Sequence, residues 1–278
     1  MTANVLLWSV ERHGRVGSTM EIAAERAAAG APEGTVVVAD HQTAGRGRAG
    51  RAWTSPPGTA LLLTAVLRPS LPAHRLAALA LVAGVALAEA VEAETGLECW
   101  LKWPNDLWLG DRLAGRKAGG ILVSARLGRS GVEHVLLGLG LNVSTPAPSL
   151  PEGATSLAVS LERAGQSLDG RGDKYAGDDP RVRLLARCLD RLGVGYRDFV
   201  ASGGQPPFDA WLGRAALIGE HVEVMDGDQP RRGVFVGLRA DGALLLRNER
   251  GDDEAVVAGD VVRGPRYRPE SAAERSGR

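Results

Sequence analysis

The spacing of apolar residues changes along the chain, and each spacing predicts its own kind of element. Residues 35–39 form a β-branched run and 61–67 are almost wholly apolar, the pattern of strands buried on both faces. Residues 5–10 read as a short strand before Ser18 and Glu21, whose three-residue spacing is a capping box for a helix running to about residue 30. Residues 75–94 are rich in alanine and leucine and predict a long packed helix closed near Gly96. A strand over 98–103 stops at Pro104, and Asn105-Asp106 turns the chain into 107–109, with a hairpin turn at Gly110-Asp111. Two further apolar strands, 119–123 and 135–143, carry glycines that permit close backbone approach. Leu184, Leu185, Cys188, Leu192 and Phe199 share one stripe of a helix over 182–200, and 208–215 predicts a shorter one. After residue 217 the elements shorten to strands at 221–224, 233–236, 243–246 and 255–257, divided by glycine and aspartate turns.

These elements predict an α+β chain. Residues 1–216 form a mixed β-sheet with flanking helices, 217–265 a small β-barrel, and 266–278 a polar tail. Residues 166–180 are charged and glycine-rich and read as a surface loop without chemistry. At 278 residues the chain can bury a proper core. Its 33 basic and 33 acidic residues balance, which argues against general nucleic-acid coating and leaves local patches to bind anions. Cys99 and Cys188 are unpatterned, so they suggest neither a disulfide framework nor a zinc site, and a reducing cytoplasm is the default. No signal-peptide core opens the chain, and no apolar run reaches about 18 residues without a charge or glycine, so no membrane partner is expected.

Chemistry concentrates in Gly45-Arg46-Gly47-Arg48-Ala49-Gly50-Arg51-Ala52-Trp53. Its guanidiniums repel one another unless water or an anion neutralises them, and the glycines let backbone N–H groups approach such an anion. A solvated surface loop and an anion-binding loop both fit the run taken alone. The run formally matches the dinucleotide pattern G-x-G-x-x-G, but the preceding strand ends too early and Pro56-Pro57 blocks a long helix after it. Residues 65–73 also lack the acidic residue expected about 20 positions on, so a Rossmann fold is rejected. Elsewhere the chain offers Lys102-Trp103-Pro104-Asn105-Asp106, Arg116-Lys117-Ala118-Gly119-Gly120 and Gly138-Leu139-Gly140-Leu141-Asn142, and each alone is explained as well by solvation or packing.

In this order the motifs resemble those of the biotin protein ligases. The resemblance runs over nearly the whole chain and includes Gly17-Ser18-Thr19, Gln42 and the C-terminal small barrel. It implies a catalytic domain like that of class II aminoacyl-tRNA synthetases, followed by an SH3-like barrel. It also implies the reaction: biotin and MgATP give biotinyl-5′-AMP and pyrophosphate, and a lysine of a biotin carboxyl carrier domain takes the biotinyl group. By the same resemblance Arg48, Lys117 and Asp106 are catalytic, with no metal held by the protein alone. Asp106 either orients the cations or serves as base for the incoming amine. Ser18, Thr19, Gln42, Arg46, Arg48, Gly119 and Gly120 would bind biotin. Arg51, Trp53, Lys102, Asn105, Lys117 and Asn142 would bind ATP or the adenylate, Trp53 and Asn142 on the adenine side.

The arginine loop would close over the adenylate and exclude water, so mobility before binding is expected. Met20 stands where the family commonly has asparagine, and Ser124 where glutamate is frequent; both bear on affinity rather than on the reaction. The chain resembles the shorter ligase class without a DNA-binding segment, acting as monomer or homodimer. A lipoate or octanoate ligase or transferase is the nearest alternative, and single-stranded nucleic-acid binding through the loop and Trp53 a remote one.

Overall fold

The computed structural model describes residues 6–129, 131–168, 179–226 and 229–263. Its larger sheet contains β1 (Ser9–Val16), β2 (Thr35–Gln42), β5 (Ala60–Leu67), β6 (Cys99–Lys102), β7 (Asp106–Leu109), β8 (Arg116–Gly128) and β9 (Gly131–Asn142). Between β2 and β5 lies a two-stranded hairpin, β3 (Gly45–Arg46) and β4 (Ala52–Trp53). The seven-stranded order is β1-β2-β5-β9-β8-β7-β6, parallel at the β1–β2 pair and antiparallel elsewhere, so the sheet is mixed as expected.

Strand alternation assigns the two faces. On one face, Val36, Val38, Leu61, Leu63, Val135, Leu137, Leu139 and Leu141 join the main core. Helices α2 (Leu79–Thr95) and α4 (Pro180–Ala201) supply the rest of that layer, together with the short α3 (Leu157–Arg163) and α5 (Phe208–Leu212). On the other face Val37, Val66 and Leu136 meet Ala23 and Ala27 of α1 (Thr19–Ala28). That helix begins at Ser18, whose hydroxyl accepts the Met20 N–H at 3.3 Å. Because α1 is short, it leaves part of this face open.

Helix α2 and the 3-10 turn before it, Ala73–Ala78, are together long and apolar enough to cross a membrane. They are instead packed in the core, and α2 ends where Gly96 takes the left-handed conformation at φ 69°. Glu94, on α2, accepts from Arg183 at 2.6 Å and from Arg187 at 3.0 Å, tying α2 to α4.

The C-terminal strands β10 (His221–Asp226), β11 (Gln229–Leu238), β12 (Leu244–Arg247), β13 (Asp253–Val256) and β14 (Asp260–Arg263) form an antiparallel sheet in the order β13-β12-β11-β10-β14, the small SH3-like unit. It shares its core with the larger unit. Phe235 meets Trp211 edge-on at 6.4 Å, Trp103 Nε1 donates to the Gly242 carbonyl at 2.9 Å, and the Gly242 backbone lies against Ala78 and Leu81.

Several boundaries differ from expectation. The first strand is Ser9–Val16 rather than residues 5–10, of which residue 5 lies outside the described residues. An edge strand tolerates that polar sequence, while the apolar Trp8 packs against Gly193 and donates from Nε1 to the Leu189 carbonyl at 2.8 Å. The strand at 119–123 extends to Arg116–Gly128, the helix at 208–215 is only Phe208–Leu212, and α3 and β14 were not expected. Most of the expected surface loop at 166–180, and all of the polar tail at 266–278, lie outside the described residues.

Candidate active site

The open part of the α1 face is a cleft of about 220 Å³. Its floor follows from the alternation in β9: the odd residues from 135 to 141 enter the core, so Gly138 and Gly140 face the cleft. A Cβ on Gly140 would lie 2.7 Å from the Trp53 ring, and one on Gly138 would lie 2.9 Å from Met20 Sδ. Both positions therefore need glycine, for Trp53 and Met20 to lie flat on the sheet. Trp53 Nε1 is buried without a hydrogen-bond partner, so a donor is available there for a ligand.

One end of the cleft is neutral and polar. Gln42 ends β2, where its Oε1 accepts the Thr19 N–H at 2.7 Å, the Thr19 hydroxyl at 3.0 Å and the Ser18 hydroxyl at 3.5 Å. Thr64 of β5 donates to Thr19 Oγ1 at 2.8 Å from a wholly buried position.

The other end is cationic. The β3–β4 hairpin carries the arginine loop across the cleft, its tip turned by Ala49 and Gly50 at φ 52° and 72°. Arg48 donates to Asn105 Oδ1 at 3.1 Å and to the Gly259 carbonyl at 3.5 Å. Arg51 pairs with Asp260 of β14 at 2.9 Å, and Arg46 pairs with Glu21 of α1. Lys117 Nζ lies 2.6 Å from Asp106 Oδ1 and 6.0 Å from the Trp53 ring centre. A bulge aims this lysine: Leu107 pairs with Gly119 but Trp108 with Lys117, so Ala118 is an extra residue. The shifted phase brings Lys117 and Gly120 to the same side, where a Cβ on Gly120 would lie 3.3 Å from Lys117 Nζ. Burial pushes the Arg48 pKa below the ordinary arginine value, with Asp260 and Asp106 working against the shift. Burial lowers that of Lys102 also, again opposed first by Asp106. Such partly desolvated cations favour an anionic partner.

Most of the expected site residues line this cleft: Ser18, Thr19, Gln42, Arg46, Arg48, Arg51, Trp53, Asn105, Lys117, Gly120 and Asn142. Asp106 reaches it through Lys117. Two expected residues, Gly119 and Lys102, are not among the lining residues. Gly119 faces the core, where a Cβ would lie 3.2 Å from Leu87, because adjacent strand residues point to opposite faces. Lys102 lies outside the lining, with Nζ 5.0 Å from the Trp108 ring centre.

Sequence reasoning missed Thr64, which sits in an otherwise apolar strand, and Asp260, whose approach depends on the docking of the C-terminal unit. It also missed residues 151–154, held beside Lys117 by its N–H to the Gly153 carbonyl at 3.0 Å. Of the two departures noted, Met20 packs over Gly138 within the cleft, and Ser124 is not among the lining residues. Among the described residues no cluster of three His, Cys, Asp or Glu side chains could hold a metal.

Residues 14–142 match the Biotin/lipoate A/B protein ligase family, and residues 217–264 match the Biotin protein ligase C terminal domain. The biotin--[acetyl-CoA-carboxylase] ligase of Paracoccus denitrificans is 34% identical over 236 residues, covering 82% of this chain and 90% of the relative. The chain belongs to the biotin protein ligases. Another curated relative is the bifunctional ligase/repressor BirA of Bacillus spizizenii, 33% identical over 85% of this chain and 68% of its own length. Among solved biotin protein ligases, the Aquifex aeolicus enzyme in complex with biotin and ATP superposes with a TM-score of 0.72 at 27% identity, covering 93% of this chain and 100% of that one. The first family model covers biotin and lipoate ligases alike, so the C-terminal match separates them.

Proposed function

We propose that this ligase activates biotin with ATP in the described cleft and then passes the biotinyl group to a lysine of a biotin carboxyl carrier domain. The observation that carries this is one cleft with a neutral hydrogen-bonding end at Ser18, Thr19 and Gln42 and a cationic end at Arg48, Arg51 and Lys117. Biotin has the matching polarity, a ureido ring at one end and a carboxylate at the other.

In the first step a carboxylate oxygen attacks the α-phosphorus of ATP, the new P–O bond forms, and the bond to pyrophosphate breaks. Two anions must meet, so fixed cations lower the barrier. At an effective dielectric of about 20, one charge about 4 Å from a phosphate oxygen contributes roughly 4 kcal/mol before desolvation. Arg48 and Lys117 take this role. Asp106, within 2.6 Å of Lys117, is read as the residue that orients the lysine. Trp53 and Asn142 flank the adenine side, Asn105 holds Arg48, and Arg46 anchors the loop to Glu21. Mg²⁺ is read as arriving with the ATP phosphates. In the second step the lysine amine attacks the acyl carbon, and AMP leaves with the bonding pair. Two buried free cysteines, Cys99 and Cys188, suit a reducing cytoplasm.

The test is intact mass spectrometry of a biotin carboxyl carrier domain incubated with the protein, MgATP and biotin. One added biotinyl group is expected, with no addition from lipoate. Addition of lipoyl but not biotinyl groups overturns the reading.

A further inference from the structure

The hydrogen-bond chain at the neutral end of the cleft has a direction that one backbone group dictates. The Thr19 N–H can only donate, and it lies 2.7 Å from the Gln42 amide atom assigned as Oε1, so that atom must be the oxygen. An amide oxygen can only accept, so the Thr19 hydroxyl, 3.0 Å away, spends its proton there. The proton on the 2.8 Å contact between Thr64 and Thr19 must then come from Thr64. The order Thr64→Thr19→Gln42 is thus forced. Thr19 Oγ1 retains an unshared lone pair and has no proton left for the cleft. Toward a ligand it is an acceptor, suited to an N–H.

We propose that Thr64 is a positioning residue for biotin: its buried hydroxyl locks Thr19 with its proton on Gln42 and its lone pair toward a ureido N–H. Thr64 is wholly buried in β5, and Leu63 and Val66 around it are apolar, so its hydroxyl has no solvent to satisfy it. Without Thr64 the Thr19 hydroxyl is free to rotate its proton toward the cleft, where it opposes a ligand N–H. Successive donors also polarise one another, so the first hydroxyl strengthens the second.

The inference rests on the reading of the cleft as a biotin site. The test measures biotin-dependent ATP–pyrophosphate exchange and thermal melting for the wild type, Thr64→Val and Thr64→Ser. Thr64→Val keeps the shape and removes the donor; the KM for biotin is expected to rise roughly 3- to 10-fold, the span of a net hydrogen bond. kcat and the KM for ATP stay near wild type, and Thr64→Ser, which restores the hydroxyl, returns the biotin KM to near its original value. An unchanged biotin KM in a folded Thr64→Val, or a Thr64→Ser as impaired as Thr64→Val, overturns the proposal while leaving the biotin reading intact. Should Thr64→Val not fold, Thr64→Ala carries the same comparison. A wild type with no biotin-dependent exchange removes the biotin reading, and the proposal with it.

Discussion

A glycine–indole contact shows how little room the cleft leaves at the level of single residues. Gly140 lies under Trp53, and a Cβ there would come within 2.7 Å of the ring. Gly140→Ala must therefore displace Trp53 or bend β9, at about 1–3 kcal/mol for an overpacked site. A folded variant with a raised KM for ATP is expected from steady-state kinetics; an unchanged KM removes Trp53 from the adenine side. The glycines and cations were legible in the sequence because they sit in short contiguous motifs. Their orientation was less so. Gly119 and Gly120 point to opposite faces of the sheet, and the bulge at Ala118 that aims Lys117 requires the partner strand to be known. Thr64 carries no motif, since a threonine in a buried strand signals packing until Thr19 arrives beside it.

Among the elements, helices and strands were recovered where the apolar runs were long, as in α2, β5 and β9. They were missed or displaced where tertiary pairing decides, as in the polar edge strand β1 and in β14, which exists by pairing with β10. The ion pairs linking elements differ sharply in weight. Glu94 and Arg183 join α2 to α4 with side chains only 2% and 4% exposed, whereas Arg51 and Asp260 join the loop to β14 at 56% and 47%. Glu94 is a nearly buried carboxylate that accepts from two arginines, so Glu94→Gln, which removes its charge, is expected to cost about 3–5 kcal/mol in urea unfolding. Asp260→Asn should cost roughly 0–1 kcal/mol by the same measurement, because water screens an exposed pair. Similar losses for both would contradict this ranking. The weak pair suits the proposed function, in which the loop exchanges Asp260 for a ligand anion.

Across the whole molecule, the two sheets behave as one body. Phe235 packs on Trp211, Gly242 lies against α2 and the 3-10 turn before it, and the core runs without a break from the large sheet into β10–β12. Calorimetry is therefore expected to show a single unfolding transition, whereas two resolved transitions would mean that the shared core contributes little. This docking brings Asp260 to the arginine loop, and no reading of separate domains foresees that contact. The chemical claim rests on cations that meet from distant parts of the chain, Arg48 on the loop and Lys117 on a bulged strand. Biotin-dependent ATP–pyrophosphate exchange measures that claim most directly. The wild type should catalyse it and Lys117→Ala, although folded, should lose it; exchange at the wild-type rate in Lys117→Ala, or none with biotin in the wild type, would contradict the account.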